Sequence, residues 1–222
     1  MRLIATAALV GLMLHEAPSA LAKQPTVVDV PNGPAFVQLP GRKEVNARSG
    51  QDLFDNTVLR TSKPGRMQIK LSSGRQFRMG GNALLQLKNS TVTLKRGALI
   101  GWIQPGLKNR QPFTIQTRLA TASIQGTTVF IELDDDKLKV FSWEGEVNVA
   151  TTSGESYTLQ SGEQLLVELN QPTITWSSPV KIKEAEASRR LTKSRLINGF
   201  AIPMDTLQDI ERELGVKALD PS

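Results

Sequence analysis

Cysteine is absent from the chain, and histidine occurs once, at His15. Without cysteine there is no disulfide, no thiolate nucleophile and no zinc–thiolate site. Aromatic residues make up only 5% of the sequence, so a core must rest on Val, Ile, Leu and Met. Long apolar runs are scarce as well. The longest, Leu3 to Leu14, is about a dozen residues, short of the roughly 20 that a spanning helix needs. A further scarcity is local: between Asn56 and Ile131 there is no acidic residue at all.

What is present begins with an export signal. Arg2 supplies a short positive start, Leu3 to Leu14 the apolar stretch, and Ala20-Leu21-Ala22 the small-x-small pattern that precedes cleavage. Cleavage between Ala22 and Lys23 is expected, releasing a chain into the periplasm or the extracellular space with no transmembrane segment. His15 leaves with the signal. The mature chain then has neither His nor Cys, which excludes Ser-His-Asp triads, Cys-His pairs and histidine metal sites. Hydrophobic residues at 39% and charged residues at 22% are ordinary for a globular protein.

Residues 23–46 hold Pro25, Pro31, Gly33, Pro34, Pro40 and Gly41, with short apolar pieces between them. Proline removes a ladder donor, so this reads as an extended arm or edge strand. From Thr57 to Leu169 the apolar residues alternate: Met67, Ile69 and Leu71, then Phe77 and Met79, then Leu85 and Leu87, then Val92 and Leu94. Gly80-Gly81-Asn82 and Gly97 read as breaks. Val129, Ile131 and Leu133 face Leu138 and Val140 across Asp134–Lys137, the form of a β-hairpin, with Gly126-Thr127 as a bend before its first strand. Turn signals every 8 to 12 residues or so indicate a mainly β fold of stacked short antiparallel strands, a sandwich or β-roll. After Asn170 comes a linker with one short strand at Ile174–Trp176, then a helical tail: Lys183 to Ile197 is rich in helix formers, and Thr206 to Gly215 has a cap, an apolar face at Leu207, Ile210 and Leu214, and a glycine stop. The β domain or a partner could supply the surface these helices need.

Several stretches together resemble FecR domains. Gln51 to Thr61 is similar to the opening of that domain; Met67 to Leu71, Ser73-Gly74-Arg75 and Phe77 to Asn82 follow as its strand, turn and strand. Leu94 to Gly97, the segment Phe113 to Phe130, Trp143 to Val147 and Leu159 to Glu163 complete the pattern. The resemblance spans roughly Ala47 to Leu169, and with the signal, arm and tail read above the chain divides into 1–22 (signal), 23–46 (arm), 47–170 (FecR-like β domain) and 171–222 (linker and tail). It gives Gly74, Gly126, Thr127, Gly145 and Gly162 structural positions. It also implies a bacterial envelope protein. The best-known members are transmembrane anti-sigma regulators; a chain with a signal peptide departs from them and fits a free-standing exported module.

Charge is the strongest non-periodic feature. Asn56 to Ile131 carries twelve Lys or Arg, whereas Glu132 to Asn170 carries nine Asp or Glu against Lys137 and Lys139. The first expectation is cross-strand pairing between the blocks. The alternatives are a positive surface for anionic polysaccharide, lipid headgroups or an acidic protein, with Arg60, Lys63, Arg66, Lys70, Arg75 and Arg78 as candidate binding residues, or self-association of opposite faces. Nucleic acid fits poorly, since no aromatics interleave with the basic strands. Asp134 to Asp136 reads as a turn, lacking calcium-loop spacing. Glu144 and Glu146, two apart on one strand face, are the only candidates for carboxylate chemistry. Trp102, Trp143 and Trp176 read as core residues before a sugar platform. The basic helix with Arg189, Arg190, Lys193 and Arg195 has a thin apolar face and reads as solvated.

The expected function is a non-catalytic envelope interaction module in signalling or sensing, needing no cofactor or metal, whose partner is another envelope protein. The alternative is an anionic-glycan or surface-binding module using the basic block, and a third reading is a carboxylate-dependent hydrolase.

Overall fold

The computed structural model describes residues 24–88, 91–106, 112–171 and 173–218. The expected export signal and its cleavage point at Ala22–Lys23 lie outside the described residues.

Among the described residues fifteen strands form one sheet, open at its edges. In chain order they are β1 (Thr26–Asn32), β2 (Ala35–Gln38), β3 (Val45–Asn46), β4 (Val58–Thr61), β5 (Arg66–Lys70), β6 (Arg75–Lys88), β7 (Thr91–Ile103), β8 (Phe113–Gln116), β9 (Ala120–Ile124), β10 (Thr128–Leu133), β11 (Lys137–Glu144), β12 (Val147–Thr151), β13 (Ser156–Leu159), β14 (Glu163–Glu168) and β15 (Val180–Lys181). Among the described residues three helices follow: α1 (Glu184–Lys193), α2 (Arg195–Asn198) and α3 (Leu207–Leu214). Every pairing is antiparallel except that of β7 with β8, so the mainly antiparallel β class with a helical C-terminal region holds.

The long strands β6 and β7 organise the sheet. Their register slips between Gly80 and Leu85, a bulge where Gly81 and Asn82 have positive φ and Gly97 opposite has φ 88°. A Cβ at Gly97 would lie 2.3 Å from the Ala83 Cα, so only glycine admits this close crossing. The glycines expected to end strands thus bend continuous ones. On one side of the bend, β5 and β10 flank the pair, giving a layer β1-β5-β6-β7-β10-β11-β14-β15; on the other, β4 and β8 flank it, giving β3-β2-β4-β6-β7-β8-β9-β12-β13.

The inward faces of both layers merge in one core that includes Met67, Phe77, Leu99, Val129 and Val140 from the first and Val37, Leu59, Leu94, Ile115 and Val149 from the second. Phe77 and Phe113 meet across it at 6.4 Å, and Gly101 makes room for the Phe113 ring. Each such fully buried aliphatic or aromatic side chain contributes about 2 kcal/mol.

One expectation is narrowed and two change. Of the two readings of the segment 23–46 the edge strand holds for β1, which among the described residues pairs with β5 alone, while β2 pairs with β3 and β4, burying Val27, Ala35 and Val37. Prolines are tolerated there because β1 has an irregular register, with shifts between Val27 and Asn32. Ile174–Trp176 is not a strand; Trp176 instead stacks on Tyr157 at 6.1 Å, and the short strand is β15. The basic helix is not solvated, because the tail docks on the sheet.

That docking forms a second core on the outer face of the first layer. Ile100, Trp102, Phe141 and Trp143 point outward from β7 and β11 and are covered by Ala187 and Leu191 of α1, Leu196 and Ile197 of α2, Met204, Ile210 of α3 and Val216. The first helix stops at Ser194, whose hydroxyl accepts from the Ile197 N–H and starts α2. Gly215 ends α3 in the left-handed region, φ 65°, as the sequence indicates. Thr206 stands at the N-cap without capping; its hydroxyl lies 2.7 Å from that of Thr128 on the sheet.

A cationic groove at the edge of the helical roof

Two cross-strand rows of the covered layer explain what the roof leaves open. The row Gln68–Arg78–Ile100–Phe130–Phe141–Gln164 runs under the helices. The next row, Arg66–Gly80–Ala98–Glu132–Lys139, emerges at their edge, and its middle residues are small. A Cβ at Gly80 would already come within 2.9 Å of the Arg66 Cγ. With little side chain there, a groove of about 600 Å³ opens between α1, α2 and the sheet.

Its floor is apolar: Ala98, Phe130, Phe141, Trp143 and Leu196. Its rim is basic: Lys63 and Arg66 on one side, Lys139 on the sheet, and Arg189, Arg190, Lys193 and Arg195 on the helices, with Glu186 the acidic residue among them. Part of this charge is compensated. Glu186 takes Arg189 and Arg190, Lys139 pairs with Glu132 at 3.4 Å, and Arg190 also donates to Gln164 and lies over the Phe141 ring. Hydrogen bonds from Arg190 and Arg189 hold the Glu186 carboxyl below its ordinary range. Arg66 donates to Asn32 and to the Arg195 carbonyl, and burial, then the nearby Arg195 charge, lower its pKa. Among the described residues Lys63, Arg66, Lys193 and Arg195 enter no ion pair. Two buried donors are also without a partner there, the Arg66 Nε and the indole N–H of Trp143, which is 3% exposed.

The candidate basic block is divided by the fold. Lys63 and Arg66 reach the groove. Arg60 lies in the other layer, paired with Glu44 and over the Phe36 ring at 4.1 Å. Lys70 ends β5, half-buried opposite Thr26. Arg75 and Arg78 are buried and cannot form a surface. Arg78, fully buried, is the pin of the roof: its guanidinium donates to the carbonyls of Leu196 (3.1 Å), Ile197 (2.8 Å) and Ile202 (2.5 Å) and to Gln68 (2.9 Å), and stacks on Phe200. Burial pushes its pKa down to about 10, with Asp29 and Asp205 opposing, so it stays charged at neutral pH. Beside it Asp205 accepts from Gln76 and the Trp102 indole.

The other candidates fall as follows. Asp134 is a turn residue, its carboxylate accepting from the Asp136 and Lys137 amides. Glu144 and Glu146 do not share a face, because Gly145, φ 72°, turns the chain between them: Glu144 is buried and accepts from Thr128, whereas Glu146 is exposed beside Asn148 and Gln160. Trp102 and Trp143 lie under the roof and Trp176 elsewhere, so they form no common platform. Gly74, Gly126 and Gly162 all have positive φ at turns, and Thr127 packs against Gly145, where a Cβ would sit 2.5 Å from its methyl. Sequence reasoning missed the groove's floor. The signal was there in 98–103 and 138–143, where alternate positions on both faces are apolar, the mark of a strand covered twice.

A bent antiparallel sheet, roofed on one layer and open on the other, defines an all-β class with a groove suited to recognition. Residues 57–148 match the family model described as FecR protein, inside the span the sequence resemblance indicated. Two crystal structures of a candidate anti-sigma factor from Parabacteroides distasonis are similar to it. Each is 16% identical with a TM-score of 0.46; they cover 68% and 66% of this chain and 71% and 69% of their own. No curated protein matches the chain.

Proposed function

We propose that this protein is a non-catalytic recognition module of the bacterial cell envelope, exported by its N-terminal segment, that works in signalling or sensing by holding another envelope protein. The FecR match supports the setting. The observation that carries the reading is the groove itself: basic residues from two distant stretches, Lys63 and Arg66 before the central strands and Arg189 to Arg195 at the tail, converge around one apolar floor. Scattered solvating charges would not converge in this way, and a rim of one sign focuses the field over a low-dielectric floor.

The test is comparative capture from envelope fractions with the wild-type chain and an Arg189→Glu/Lys193→Glu variant. Arg189 is 59% exposed and Lys193 is exposed, so the variant keeps the fold. The expected result is one protein retained at moderate salt by the wild type, lost with the variant, and rebound after purification. Equal retention by both would remove the groove from the function. Periplasmic release on osmotic shock, with processing after Ala22, checks the compartment.

A further inference from the structure

We propose that the groove is a docking site for a short acidic peptide segment of the partner, one large apolar residue flanked on both sides by Asp or Glu. The inference rests on the recognition reading above and names the ligand's chemistry.

The arrangement of charge selects this class. Cations stand at both ends of the outer row of the floor, Arg66 on β5, which donates to the Arg195 carbonyl, at one end and Lys139 on β11 at the other, and Lys63, Arg189 and Lys193 also line the groove. Phe130 on β10 stands between these ends, with Trp143 also on the floor. A ligand complementary to this pattern is apolar in the middle and anionic at both ends. An anionic lipid has its charge at one end only, and a sulfated saccharide has no apolar centre to cover the rings. The volume, about 600 Å³, accommodates a few residues and lies in the usual range for a ligand pocket.

The probe is a fluorescein-labelled pentapeptide, Glu-Glu-Phe-Glu-Glu, extended by a neutral linker, and the readout is anisotropy with the full mature chain. Three competitors accompany it: the same peptide with Ala for Phe, a sulfated heparin fragment, and vesicles of phosphatidylglycerol. The expected result is saturable binding that weakens as salt rises, at least about tenfold weaker without Phe and about tenfold weaker in Arg189→Glu/Lys193→Glu. Indifference to Phe, or stronger competition by heparin or vesicles than by the Phe-containing peptide, overturns the peptide class. If the envelope partner is still lost in the charge-reversal variant while the pentapeptide fails to bind, this inference falls and the recognition function stands. If neither responds to the variant, both fall.

Discussion

The two layers of the sheet share a core and a pair of long strands, yet they meet the outside differently. In the open layer β12 alternates strictly, with Val147 and Val149 buried and Asn148 and Ala150 exposed, and β8 and β9 follow suit with Thr and Ser half-exposed outward. In the covered layer the last five residues of β11 are all buried, and so are the last five of β7. The same period of two underlies both. What differs is the chemistry at outward positions: Thr, Ser, Asn and Gln in one layer, Ile100, Trp102, Phe130, Phe141 and Trp143 in the other. A polar outward face can be left in water; an apolar one has to be covered, and the C-terminal helices cover it. The groove exists because that cover stops one row short of the layer's edge.

The largest test of this contrast is to remove the roof. A chain ending after Gln171 exposes the whole outward apolar face, several large side chains at about 2 kcal/mol each. It is expected to self-associate, with tryptophan emission shifted to the red, as read by light scattering and fluorescence. A chain that stays monomeric with unchanged emission would show that the face needs no cover.

Comparing two arginines sharpens the point. Arg78→Ala leaves the carbonyls of Leu196, Ile197 and Ile202 and the Gln68 side chain without their donor in a buried site, and should cost about 3 kcal/mol in urea denaturation. Arg60→Ala in the open layer removes a partly exposed pair with Glu44, a hydrogen bond to Ser62 and the contact with the Phe36 ring, and should cost about 1 kcal/mol. Similar losses at the two sites would erase the distinction between the layers. Gly145→Ala, at the turn joining the covered strand β11 to the open strand β12, combines a positive φ with a 2.5 Å approach to Thr127 and should cost about 2 kcal/mol by the same measurement. Asn148→Ala on the open face should change stability by no more than about 0.5 kcal/mol, since the side chain is solvated.

Particular residues show how far the sequence reached. The hairpin around Asp134–Lys137 was readable because its turn and its alternation are local, and the pairing of Leu133 with Leu138 follows from them. Gly215 as a helix stop was readable for the same reason. Gly81 and Gly97 were misread as breaks because a glycine that ends a strand and a glycine that bends one look alike until the partner strand is known. The thin apolar face ascribed to the basic helix misled because Leu191 and Ile197 were counted on a single helix, whereas α2 starts anew at Ser194 and turns Leu196 and Ile197 onto the sheet. Of the six basic candidates, Lys63 and Arg66 face the groove; that Arg78 is interior depended on a segment more than a hundred positions away.

By itself the sequence determined the class, the FecR resemblance and the absence of cysteine and histidine chemistry beyond residue 15, because composition and short-range periodicity suffice for these. Tertiary structure alone decided that the tail roofs one layer, that Arg78 is buried beneath it while Arg189 to Arg195 remain outside, and that two basic stretches converge on one floor. The reason is physical. Alternation says which residues share a face, but burial and local charge depend on what that face meets, and here it meets residues from the far end of the chain.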